Sequence, residues 1–323
     1  MRKLTTVLLI AVLALSCVFA QAAAEANDFP SKTVEAMVGW NAGGGGDIVF
    51  RKLADVFPKY ANGQTMVIKN VGGASGITGA VEFLDAAADG YNVMHWNNAT
   101  VGAINLTPNT GLTGADTFRT VCQVVASYNY LVVRADSQWN NLNDVIDAMK
   151  KNPGKVTIGN AGNKGGNHLA ALRFEKAVDV EVKHVAYSGG GPAINGLLAG
   201  EVDCVMANAP EGIANVQNGQ LKILAMFSEK RYTIESMKDV PTGIEQGVDL
   251  VLPQWRTVVC PKDTPDAIVE KLASIYEQCC KDPEFVDAMT NLSVEVVFKG
   301  PAAADKFTHD EDVKFAEIAK DFK

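Results

Sequence analysis

Four consecutive glycines, Gly43 to Gly46, stand in the stretch WNAGGGGDIVFRKLADVF (residues 40–57), between an apolar segment and an amphipathic one. Glycine loses more backbone entropy on ordering than any other residue, so such a run implies a slack linker or a backbone that something approaches closely. Similar glycine segments recur in NVGGASGITGAV, GNAGNKGGNHL and HVAYSGGGPAINGLLAG, each running into a helical pattern. A helix N-terminus offers unpaired N–H groups and about half a positive charge. Glycine ahead of it lets an anion reach that backbone. The chemistry these residues suit is therefore anion binding, and a small carboxylate fits it best.

Chemistry that needs other motifs is poorly served. Gly43 and Gly45 do not complete G-x-G-x-x-G, because position 48 is Ile, and the second strand ends in Lys69-Asn70 where a dinucleotide fold would place an acid. No G-K-[ST], G-x-S-x-G or H-E-x-x-H occurs. His95, His168, His184 and His309 are scattered. No cofactor or metal is implied. An exported α/β hydrolase or transferase acting on a small acyl or phosphate substrate is the alternative class. It needs a nucleophile, a base or a metal set, and the sequence assembles none.

The elements that must position the loops follow from periodicity. Thr33 to Trp40 reads as a strand, and Val49, Leu53, Val56 and Phe57 then recur at helical spacing. The same grammar returns with a strand at Thr65 to Lys69 and a helix that turns Ala80, Phe83, Leu84 and Ala87 inward. YNVMHW is a strand ending in the polar NNAT, and a further strand, loop and helix follow in KVTIGNAGNKGGNHLAALRFEKA. Pro192 opens a helix that stops near Gly200. LKILAMFS is a strand, and helices are expected near Pro265 to Lys281 and Ala302 to Lys320. Strands alternating with helices imply an α/β fold with mainly parallel sheets flanked by helices. In such sheets ligands bind at the carboxyl ends of the strands.

The chain has 323 residues, enough for two domains. No low-complexity linker divides it. Cys122 to Arg134 and Leu250 to Pro261 are long apolar runs suited to crossing between two lobes. One lobe is expected at 27–129 plus 252–323, the other at 130–251. The loops would then wall an interlobe cleft.

Residues 1–26 read as a secretory signal peptide: Arg2 and Lys3, an apolar Leu4 to Ala20, then Ala22, Ala23 and Ala24. Cleavage is expected between Ala20 and Ala26, and a lipid anchor through Cys17 ranks lower because Ala14-Leu15-Ser16 matches the small-residue pattern poorly. The protein is thus expected in the periplasm. Loss of Arg2 and Lys3 takes the formal net charge from −8 to −10, or to −9 where Glu25 leaves with them. So acidic a chain argues against nucleic acid as a partner. Five cysteines remain beyond Cys17, and a Cys122–Cys260 disulfide is open on sequence grounds.

With the loops in place, the order of motifs resembles the extracytoplasmic receptors of tripartite tricarboxylate transporters, the Bug-type proteins. The resemblance rests on FPSKTVEAMVGWNAGGGGD, NVGGASGITGAVEFLDAAADGYNV, GNAGNKGGNHL, HVAYSGGGPAINGLLAGEVD, VPTGIEQGV, and Trp255 leading into VVCPKDTPDAIVEKL. It implies a two-lobe periplasmic-binding-protein (Venus-flytrap, type II-like) fold and a ligand carboxylate held by loops and water. It also implies a monomer that delivers to a permease of one large and one small subunit. The binding loops it implies are Ala42 to Asp47 (through Gly43, Gly44, Gly45 and Gly46), Asn97 to Thr100 with Asn98, Asn160 to Asn167 and Tyr187 to Gly191. Departures lie at Gly45-Gly46, where the family often has Ser-Thr, and at Lys164-Gly165, where it often has Gly-Ser. Many members carry Asp where Ala207 stands, and its absence favours a plain carboxylate over an amino acid.

Individual residues carry two readings each. Asp47 touches ligand or caps the first helix. Lys164 is an anion partner or a solvated loop lysine, and His168 is a packing residue. Trp40, Trp96 and Trp255 fall at strand ends, where each either stacks on ligand or packs between layers. Asn160, Gly162, Asn163, Gly165, Gly166, Tyr187 and Asn208 complete the candidate ligand set.

Overall fold

In the computed structural model, residues 28–235 and 237–321 are described. The signal segment lies outside them. Strand β1 (Val34–Val38) leads through the glycine run into helix α1 (Gly45–Val56). Then come β2 (Met66–Asn70), α2 (Ile77–Phe83), β3 (Asn92–Asn97), α3 (Asn98–Asn105) and the long β4 (Arg119–Arg134). The middle of the chain gives α4 (Leu142–Lys151), β5 (Thr157–Ala161), α5 (Gly166–Val178), β6 (Lys183–Tyr187) and α6 (Gly190–Ala199). It continues with β7 (Cys204–Asn208), α7 (Ile213–Gln217) and β8 (Leu221–Met226). The chain ends in β9 (Pro253–Cys260), α8 (Asp266–Lys281), α9 (Pro283–Asn291), β10 (Glu295–Lys299) and α10 (Pro301–Asp321). None of the described helices is long and apolar enough to cross a membrane.

Two sheets share β4. Its first part, up to Tyr128, pairs antiparallel with β9 and β10, and from Asn129 onward it pairs with β7 and β8. In the first sheet β1 is parallel to β2 and β3, and β3 meets β9. Strands β1 to β4 therefore run one way and β9 and β10 the other. In the second, β5 is parallel to β6 and β7. Only β4 runs against its neighbours there. The fold is thus the two-lobe α/β arrangement expected, with antiparallel pairs clustered where the lobes join.

Each lobe has its own core. Val34, Val38, Val49, Leu53, Val121 and Tyr276 pack in the first, and Leu131, Val133, Phe174 and Met206 in the second. Burying each such side chain contributes about 1.5–3 kcal/mol. Leu169 of α5 packs into a cluster made otherwise by the first lobe, with Trp96, Val101 and Phe315, so the lobes touch.

Two expectations need correction, and one open pairing closes. Ala80 and Phe83 are buried, but Leu84 and Ala87 are exposed, because α2 stops at Phe83 and the helical period stops with it. Cys122 and Cys260 are both free: in the β4–β9 register Cys122 lies opposite Val258 and Cys260 opposite Arg119. The C-terminal region holds a third helix, α9, and a strand, β10, beyond the two helices read from sequence.

Candidate functional site

The glycine run is fixed by one carboxylate. Asp47 is buried in the first turn of α1. Its Oδ2 accepts the Gly43 N–H at 2.8 Å and Arg51 Nε at 2.9 Å, and its Oδ1 accepts Asn70 Nδ2 at 2.9 Å. Burial pushes its pKa up, but those donors outweigh it and hold the carboxyl below its ordinary value. Asp47 thus shapes the loop from beneath and does not line the cleft. The four glycines have separate reasons. Gly43 sits at φ +83°, where a side chain is strained. A Cβ on Gly46 would lie 2.6 Å from His95 Cε1, and one on Gly45 would lie 3.0 Å from Arg256 Nη2. Gly44 is the N-cap of α1 and offers no side-chain acceptor.

A cavity of about 360 Å³ opens between the lobes. Trp40, Ala42 and Gly43 to Gly46 line it from the first lobe with Asn97, and Gly162, Gly166 and Asn208 line it from the second. All four loops therefore meet at one place, the second through Asn97 and Ala99 and the fourth through Ser188 to Gly191. The N-caps of α1, α5 and α6 are Gly44, Gly165 and Gly189, and none makes a side-chain cap bond. Their first N–H groups stay available to a ligand. The second loop differs. Asn97 Oδ1 accepts the Thr100 N–H at 2.8 Å, so α3 caps itself.

Other candidates lie elsewhere. Asn98 and Thr100 are buried off the cavity, and so is Asn160, whose Nδ2 lies 3.3 Å from His184 Nδ1. Asn163 and Lys164 face the other lobe: Ser75 Oγ donates to the Asn163 carbonyl at 3.4 Å, and Lys164 Nζ to the Leu106 carbonyl at 3.3 Å. Gly165 packs against the Ala161 carbonyl, and the Tyr187 hydroxyl bonds Glu201 Oε2 at 3.0 Å. His168 Nδ1 accepts the Lys164 N–H, and burial holds its pKa down to about 4. Trp96 and Trp255 are core residues, packed on Phe118 and Phe307. The NVGGASG loop does not line the cavity. Its Gly76 packs against Thr100.

Sequence reasoning missed the two charged residues of the cavity. Arg256, on β9, is only 6% exposed, and its Nη1 is buried with no hydrogen-bond partner. Burial lowers its pKa to about 10, opposed by the negative charge of Glu211, so it remains a cation at neutral pH. A lone arginine inside an apolar strand read as crossing between lobes was the available signal. Glu211 follows β7. Its Oε2 accepts Asn167 Nδ2 at 2.8 Å and the Asn208 N–H at 3.4 Å. Burial raises its pKa, and bonds from Asn167 and Asn208 pull the other way. The same network continues through Asn167 Oδ1, which accepts Asn208 Nδ2 at 2.8 Å and Asn129 Nδ2 at 3.1 Å. Gln254 Nε2 donates to Asn129 Oδ1 at 2.7 Å and ties it to β9. Beneath α1, His95 is buried with both ring nitrogens unpartnered; burial and then the charge of Arg256 hold its pKa down to about 3.

Glycine-capped helix ends from both lobes, with a guanidinium among them whose Nη1 has no partner, make a site suited to a negatively charged small molecule. No cluster of metal-binding side chains occurs among the described residues. A sequence profile described as "Tripartite tricarboxylate transporter family receptor" matches residues 49–323. The chain belongs to that receptor family. The receptor is 30% identical over 277 residues to a protein of the gbd 5′ region of Cupriavidus necator, covering 85% of this chain and 82% of the relative. The solved structure of the periplasmic binding protein BugD superposes with a TM-score of 0.81 at 29% identity, over 91% of the receptor and 98% of BugD. R. palustris Rpa4515 with adipate superposes with a TM-score of 0.81 at 25% identity, over 90% of the receptor and 97% of that chain. The receptor shares the two-lobe fold of these binding proteins, and the family is one of solute receptors.

Proposed function

We propose that the protein captures a small organic anion, a carboxylate, between its lobes and delivers it to the membrane permease subunits of a tripartite tricarboxylate-type transporter. Arg256 carries this reading. A guanidinium 94% buried and lacking a partner at Nη1 is costly unless an anion joins it. It shares its cavity with the glycine-capped starts of α1, α5 and α6. The adipate held by the R. palustris relative supports a carboxylate.

Residues 27–129 with 252–323 act as one lobe and 130–251 as the other, hinged where β4 and β9 cross. The pairing change at Asn129 supports that division. The receptor works as a monomer in the periplasm after loss of residues 1–26, and it releases its ligand chemically unchanged. The periplasmic relative BugD supports the location.

A thermal-shift screen of mono-, di- and tricarboxylates tests the reading. A true ligand at a hundred times its Kd adds about 2.7 kcal/mol to stability. If no carboxylate shifts the transition, the reading is wrong. Mass spectrometry of the ligand after overnight incubation tests release unchanged, and any conversion of it supports the enzyme alternative.

A further inference from the structure

We propose that Glu211 and Arg256 are opposite poles of the ligand site, and that the ligand is a carboxylate that also carries a protonated amine. This rests on the receptor reading above and narrows its substrate class.

Both residues line the same cavity. Their charges attract, yet no hydrogen bond joins them. Arg256 stands at the first-lobe side, its Nη2 beside Gly45 and its Nη1 buried without a partner. Glu211 stands at the second-lobe side, with Oε2 committed to Asn167 and Asn208 and no hydrogen bond to Oε1 among the described residues. The Glu211 carboxylate also fills the space beside Gly190 at the start of α6: a Cβ there would lie 1.9 Å from Cδ and 2.1 Å from Oε1. The Glu211 carboxyl group already occupies that helix end. A second ligand carboxylate placed there would meet Glu211 as well as the helix N–H groups, and like charges in a water-poor cleft repel strongly. A ligand ammonium reverses the sign of that contact and leaves its carboxylate for Arg256 and the α1 amides.

On this proposal the acid that matters is Glu211, not a residue at position 207. Ala207 is fully buried on β7, opposite Tyr130, and does not line the cavity. The acid of this cleft stands four residues further on. The Tyr130 hydroxyl donates to the Glu211 main-chain carbonyl and so fixes the turn that presents it.

Isothermal titration with matched pairs tests the proposal: aspartate against succinate, glutamate against glutarate, leucine against 4-methylpentanoate, phenylalanine against 3-phenylpropanoate. The amino acid of at least one pair is expected to bind about tenfold or more tightly than its amine-free partner, as a charge-assisted contact implies. Glu211→Gln is expected to bring that ratio close to one, with the fold checked by circular dichroism. Amine-free acids binding as well as or better than their amino partners in every pair overturn the proposal and leave the receptor reading standing. A ratio that survives Glu211→Gln in a folded variant also overturns it. Binding of no acid from either set overturns the receptor reading and this proposal together. The wild-type pairs decide the matter even if the variant does not fold.

Discussion

The Nη2 of Arg256 lies 3.0 Å from the point where a Cβ on Gly45 would stand. The guanidinium thus rests on the bare backbone at the start of α1, a positive group against a positive helix end. Neither is content without an anion between or beside them.

Gly45→Ala and Gly46→Ala are expected to part company. At position 45 the methyl meets the far end of a flexible arginine, which can move aside at little cost to folding. Ligand affinity falls, by about tenfold, because the displaced guanidinium was a charged hydrogen-bond donor. At position 46 the methyl meets the buried His95 ring at 2.6 Å. There stability falls by about 1–3 kcal/mol through overpacking. Melting curves and titrations of the two variants check the contrast. Equal effects on stability would contradict it.

Asp47→Asn is expected to lower stability by about 1–3 kcal/mol at neutral pH, because buried donors lose their charged acceptor. The pH dependence has a definite sign. The folded-state pKa of Asp47 is depressed below 3.8, so its contribution is present above that value and lost as pH falls through the folded-state value. The stability gap between wild type and Asp47→Asn should therefore close on acidification. Urea titrations at pH 7 and near the acid limit of the fold measure it. A gap that widens in acid would refute the assignment.

Trp40 lines the cavity, and its indole Nε1 is buried with no partner. Trp96 and Trp255 are core residues packed on Phe118 and Phe307. Ligand should change the intrinsic fluorescence of the wild type, and Trp40→Phe should remove most of that change. Persistence of the full change in Trp40→Phe would show that another indole reports binding.

Lys164→Ala is expected to alter ligand affinity by less than about threefold. Its Nζ serves the Leu106 carbonyl of the other lobe, an exposed contact of modest net worth. A hundredfold loss would mean that the lysine swings to the ligand.

Much of this was legible from the chain. The step from β1 through glycines to α1 is local: Val49, Leu53 and Val56 repeat at helical spacing and are all buried. The stop of α6 at Gly200 is local too, since that residue caps the helix at φ +77°. The meeting of three glycine loops follows from the rule for strand ends in α/β sheets. What stayed hidden depends on distant strands. Arg256 reads as one polar residue in an apolar strand, and its exposure to the cleft follows from pairing with Asn97 on one side and Val125 on the other. Glu211 sits in a turn whose place is set by Tyr130 and Asn167. Asn160 and Tyr187 were read from the right loops, but strand alternation and the loop's return turn their side chains to His184 and Glu201 instead.

The most direct test of the central claim is isothermal titration of Arg256→Gln against the carboxylate that wild type binds best. The account predicts a folded variant whose affinity is lower by about tenfold to a hundredfold, the worth of a charged hydrogen-bonding partner. A folded Arg256→Gln that binds the same ligand as tightly as wild type would contradict it.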